Sequence, residues 1–290
     1  MIERRNSRLV ALLLAAISWQ SAAFAQIDSD VIYGHKDGMA LVYDVFHAAE
    51  PNGAGVVYIV SGGWFSRWQE PEKRLQQFAP LLNEGFTVFA VYHGSAPRFK
   101  VPDAVSDVRA AVRHIRTHAG DYGVAADRLG VWGGSAGGHL SLMLGLDAES
   151  APMSAEGEGR ARFLAPSYAV SSDADGRLAA VVAFYPPVDL RPRVGPSERF
   201  PALNFSPDAA AAISPILFVS KDDPPTMLIH GDADTLVPLA DSEILAQELA
   251  ATGVEHDLLV IAGGDHGFRN PSHRAEATRA MVAWFKAHLL

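Results

Sequence analysis

The chain has 290 residues, is 49% hydrophobic, carries a formal net charge of −9 and contains no cysteine. The missing cysteines exclude thiol nucleophiles, thiolate zinc sites and iron–sulfur clusters. The acidic balance argues against a nucleic-acid partner, because holding a phosphate backbone requires clustered Lys and Arg.

The first feature in chain order is an export layout. Arg4, Arg5 and Arg8 stand against Glu3, residues 9–17 are apolar, and Ala23-Phe24-Ala25 precedes Gln26. A basic start, an apolar core and small residues at a cleavage point make a secretory signal. The apolar core is shorter than the ~20 residues of a bilayer span. The expectation is a signal peptide over residues 1–25 and one large domain over residues 26–290. The product would be periplasmic or extracellular, without a stable membrane span. Loss of the signal's net +2 would take the charge from −9 to −11. Nothing in the sequence indicates an oligomeric state.

Six short apolar runs follow, at residues 56–60, 87–91, 129–132, 179–184, 226–230 and 258–261. They are apolar on both faces, as strands covered by helices on both sides must be. Helical patterns lie between or after them. Residues 105–118 place Val105, Val108, Ala111, Val112 and Ile115 on one face, with Asp103 as candidate cap. Residues 239–250 and 273–289 are similar. Alternating β and α units predict a mostly parallel, twisted sheet with helices on both faces. Residues 147–176 and 191–218 break the alternation and read as loops or a small lid.

Gly133-Gly134-Ser135-Ala136-Gly137 has the G-x-S-x-G spacing, after one strand and before a helix-compatible run. The tight turn at such a serine has no room for bulky neighbours, hence the glycines. It lifts the hydroxyl above the sheet edge and aims the Ala136 N–H at a developing oxyanion. A serine hydroxyl is weak at neutral pH and needs a base held by a carboxylate, which follow in the order Ser, acid, His. Of eleven histidines, His266 is best placed, between Gly264-Asp265 and Gly267 just past a late strand. Asp232 and Asp234 both follow the strand at 226–230, and spacing does not separate them. Asp265 ranks last, because an adjacent side chain rarely points the same way. Gly62 and Gly63, after the strand at 56–60, are candidate oxyanion donors. Trp64, Phe65 and Trp68 either line a pocket or pack at the loop.

Residues 133–139, 92–102 with Asp107-Val108, and 220–238 together resemble the α/β-hydrolase esterases related to hormone-sensitive lipase and the bacterial feruloyl and acetyl-xylan esterase-like group. The likeness runs from about Val56 onward. It implies an α/β-hydrolase fold with a small lid. It also implies Ser135 as nucleophile, Asp234 as acid, His266 as base, and Gly62, Gly63 and Ala136 as oxyanion donors. Hydrolysis through an acyl-enzyme, on small or carbohydrate-linked esters and with no cofactor or metal, is the expected activity. One departure stands out. Relatives of hormone-sensitive lipase begin the oxyanion segment His-Gly-Gly-Gly, whereas this chain has Val60-Ser61-Gly62-Gly63. The loop's support is therefore open. Two alternatives remain: a serine exopeptidase of prolyl-oligopeptidase type and a non-catalytic binder.

Overall fold

The computed structural model describes residues 26–146 and 177–290. Strands β1 (Ile27–Lys36), β2 (Met39–Phe46) and β3 (Gly55–Val60) open the domain, followed by α1 (Leu75–Leu82) and β4 (Thr87–Tyr92). Next come α2 (Val101–Thr117), β5 (Leu129–Gly134), α3 (Ala136–Gly145), β6 (Ala180–Phe184) and β7 (Thr226–Gly231). Helix α4 (Leu239–Thr252), β8 (His256–Ile261) and α5 (Pro271–Leu289) complete it. The strands form one sheet in the order β1-β2-β4-β3-β5-β6-β7-β8. The pairs β1–β2 and β2–β4 are antiparallel, and the rest are parallel. This is the α/β-hydrolase arrangement.

The apolar runs form strands because each face has a helix layer to bury against. Val57, Ile59, Phe89 and Val131 meet Val105, Val108 and Val112 of α2, Leu140 of α3, and Leu245 and Leu249 of α4. Val56, Val88, Trp132 and Val182 meet Phe78 and Leu81 of α1 and Met281 and Phe285 of α5. The six expected strands and three expected helices are present, with ends shifted by a few residues. The largest shift is at α2, which starts at Val101. Asp103 is thus inside the first turn rather than before it, and its Oδ2 accepts the Lys100 N–H at 2.9 Å.

Residues 191–218 run as short 3₁₀ turns at Pro201–Leu203, Pro207–Ala209, Ala211–Ile213 and Pro215–Leu217. Phe200 sits over Gly63, where an added Cβ would lie 3.1 Å from its ring. Lys100 Nζ donates to Pro201 O at 2.9 Å. The segment thus covers the end of β3, as a small lid would. The other proposed lid stretch, 147–176, lies outside the described residues. No helix among the described residues is long and apolar enough to cross a membrane.

Candidate active site

Ser135 caps α3 at φ 55°, ψ −119°. A non-glycine residue in that region costs of order 1–3 kcal/mol and persists only where its surroundings impose it. Here the Ser135 N–H is held by Phe184 O at 2.8 Å, and the Ser135 carbonyl accepts the His139 N–H at 2.9 Å. A Cβ on Gly133 would fall 2.5 Å from the Gly137 carbonyl, so strand and helix meet this closely only through glycine.

The strand order continues past the strand ends as backbone hydrogen bonds. Ser135 N donates to Phe184 O (2.8 Å), Tyr185 N to Ile229 O (2.8 Å), Asp232 N to Ile261 O (3.3 Å) and Ala233 N to Gly264 O (3.0 Å). The loops carrying Ser135, Asp234 and His266 therefore emerge at one sheet edge.

Asp234 and His266 are joined. The Asp234 side chain is fully buried. Its Oδ1 accepts the Leu236 N–H at 2.8 Å and the Val237 N–H at 3.0 Å, while its Oδ2 faces His266 Nδ1 at 2.6 Å. The carboxylate is fixed before the imidazole binds it, and it selects the tautomer with the proton on Nδ1. Asp232 turns elsewhere, accepting the Gly263 N–H at 2.6 Å and so tying the two loops together. Asp265 pairs with Arg269, which holds its carboxyl below the usual range. His230 is buried, and burial pushes its pKa down. Its Nε2–H donates to Val237 O at 3.0 Å and its Nδ1 accepts from Ser242 at 2.7 Å. Among the described residues the side-chain hydrogen bond of His266 is the one to Asp234, and none joins it to Ser135.

Tyr185 belongs to no motif in the sequence, yet it sits at the site. It directly follows β6, between the strands that deliver Ser135 and Asp234, at φ 38°. Its ring lies 4.6 Å from the His266 ring, centroid to centroid. A Cβ on Gly134 would be 2.8 Å from its hydroxyl, so one side chain lies against both the Ser135 turn and His266. Burial pushes its phenol pKa up, so it stays protonated. The available signal was an aromatic closing an apolar strand before Pro186-Pro187.

The oxyanion loop requires a correction. Gly62 and Phe65 exchange two hydrogen bonds of 3.0 Å each, around Gly63 at φ 58° and Trp64 at φ 60°. The Gly62 N–H is therefore committed to Phe65 O and is not a free donor. The N–H groups of Gly63, Trp64 and Ala136 have no protein acceptor among the described residues. The loop lies against the start of α3, since a Cβ on Gly137 would be 2.9 Å from Ile59 O and 3.4 Å from Ser61 O. Trp64 is a packing residue: it is buried, and its Nε1 donates to His139 Nδ1 at 3.4 Å. His139 is buried in turn, with its pKa pushed down to about 4, and its Nε2–H donates to Ile213 O at 2.8 Å. Trp68 is 55% exposed.

Comparison with known proteins agrees with this architecture. Residues 44–249 match the BD-FAE family model. Esterase LipC of Mycobacterium tuberculosis is 27% identical, over 82% of this chain and 59% of its own length. An acetylxylan esterase of Xylanibacter ruminicola is 24% identical, over 98% of this chain and 52% of its own. The chain thus spans about half the length of the curated relatives it matches. Among solved structures, a truncated carbohydrate esterase from gut microbiota superposes with a TM-score of 0.74 at 26% identity, covering 92% of this chain and 97% of that one. With a family match over most of its length and the corresponding sheet and elbow in place, the chain belongs to the BD-FAE family.

Proposed function

We propose that the protein is a serine carboxylic-ester hydrolase that works through an acyl-enzyme on small or carbohydrate-linked esters. The observation that carries this reading is the buried Asp234 carboxylate, pinned by two backbone N–H groups and bonded to His266 at 2.6 Å, on the sheet edge where Ser135 sits strained. His266 Nε2 takes the Ser135 proton as Oγ attacks the ester carbonyl. The N–H groups of Gly63, Trp64 and Ala136 receive the oxyanion, each worth ~3–4 kcal/mol of barrier. His266 then protonates the departing alcohol and activates the water that releases the acid.

The carbohydrate part of the reading draws support from the acetylxylan esterase and carbohydrate esterase likenesses. A panel of nitrophenyl acyl esters, acetylated xylo-oligosaccharides and aminoacyl anilides tests it. Turnover of the esters, with sugar acetates among the better substrates, is expected. Cleavage of anilides alone would favour the exopeptidase alternative, and no turnover by folded protein would favour a binder. Export completes the proposal: residues 1–25 are removed on secretion, and intact mass of the protein recovered outside the cytoplasm should begin at Gln26.

A further inference from the structure

We infer that His93, the residue that follows β4, positions the oxyanion loop by holding the Ser61 hydroxyl. The inference rests on the esterase reading, because the loop is taken to hold the oxyanion.

The ladder between β3 and β4 ends at the pair Val60–Tyr92. Ser61 and His93 are the next residues, and there the side chains take over. His93 Nε2 lies 2.9 Å from Ser61 Oγ, and His93 Nδ1 lies 2.8 Å from Gly94 O. A carbonyl only accepts, so Nδ1 carries the proton. In a neutral ring Nε2 is then the acceptor, and Ser61 must donate. His93 is buried, and burial pushes its pKa down to about 4, so the ring is neutral at ordinary pH. The tautomer is fixed from one side and the Ser61 rotamer from the other.

His93 is itself anchored. Its N–H donates to Ser66 Oγ at 3.2 Å, and the Gly94 N–H donates to Asp107 Oδ2 at 2.8 Å. Asp107, buried on α2, is paired with Lys36 at 2.9 Å. The Ala96 N–H donates to Trp64 O at 3.1 Å, and Ser95 Oγ accepts the Ser66 N–H at 3.0 Å. The segment 93–96 thus grips the loop on both sides of Gly63 and Trp64. Ser61 is the grip nearest the strand, and its carbonyl faces Gly137 at the start of α3. A shift of Ser61 moves the loop's donors relative to Ala136.

His93 is a positioning residue, and a double-mutant cycle tests it. Ser61→Ala and His93→Leu should each lower kcat on a short-chain nitrophenyl ester by about 10- to 100-fold with KM nearly unchanged, as expected of misplaced donors. The double variant should be no slower than His93→Leu alone, because the two act as one unit. His93→Gln, whose amide oxygen can reach the Nε2 position and accept from Ser61, should recover part of the loss. Losses that multiply, or single variants that keep full kcat, would overturn the inference. An independent arm uses the full chain labelled with ¹⁵N-histidine. His93 should show a protonated Nδ1 and an accepting Nε2 whose resonance shifts in Ser61→Ala, and a resonance indifferent to that change also overturns it. If the wild type turns over no ester, the proposed function fails, while this arm still decides the Ser61–His93 bond.

Discussion

At the level of single residues, the two aspartates after β7 divide the work that spacing alone could not assign. Asp234 reaches His266, whereas Asp232 holds Gly263. Asp234→Asn should lower kcat by ~10⁴ by presenting the wrong tautomer, whereas Asp232→Asn keeps an acceptor for Gly263 and should stay within about tenfold. Steady-state kinetics on one ester distinguishes them, and the reverse order would reassign the acid. The oxyanion correction is testable at the same scale. A Cβ on Gly62 meets nothing within 4 Å, and its N–H is already used, so Gly62→Ala should be nearly silent. Gly63→Ala places a side chain at φ 58° against Phe200 and should cost roughly 10²-fold in kcat. Ser135 and His266 were legible because glycines and strand ends flag them. The choice between Asp232 and Asp234 was not legible from the residues alone, because it depends on where each side chain points after a turn. Tyr185 escaped because one aromatic at a strand end belongs to no motif.

At the level of elements, the parallel strands announced themselves by being apolar on both faces, which only a sheet between helix layers tolerates. The β1–β2 hairpin did not. It lies at the antiparallel edge, and much of β1 is exposed. Its Asp37-Gly38 turn, with φ of 50° and 78°, was a usable hairpin signal. Helix α1 was hidden by Pro80, which reads as a break, although the helix accommodates it in its last turn. Gly231 and Gly264 bring the loops of Asp234 and His266 close together, since an added Cβ on Gly231 would lie 2.1 Å from the Gly264 carbonyl oxygen. Gly231→Ala should force the acid and base loops apart, costing roughly 1–3 kcal/mol as overpacking does. At about 2–4 °C per kcal/mol for a domain of this size, Tm should fall by roughly 2–12 °C, with a larger proportional loss of kcat. Calorimetry beside kinetics checks both, and an unchanged Tm would show that the loops are not in contact.

At the level of the whole molecule, three buried histidines link folding to pH: His230, whose pKa burial lowers, and His93 and His139. His93 and His139 have pKa values pushed down to about 4 from an ordinary 6.5. The unfolded chain binds the extra protons between those values, so their stabilising contribution is complete above ~6.5 and is lost as pH falls toward 4. Each histidine contributes up to ~1.4 kcal/mol per pH unit in that window. Burial also raises the carboxyl pKa values of Asp44 and Asp107, which act in the opposite sense but only nearer the carboxylate range. Tm should therefore decline from pH 6.5 to 5, and more gently in His93→Asn. A flat profile would mean that these rings are not buried neutral.

Covalent capture at the elbow bears most directly on the proposed chemistry. Folded protein is incubated with a fluorophosphonate, and the adduct is located by intact mass and peptide mapping. One adduct per chain on Ser135 is expected, absent in Ser135→Ala and much slower in His266→Ala. A folded protein that hydrolyses esters yet carries no adduct on Ser135 would contradict the assignment.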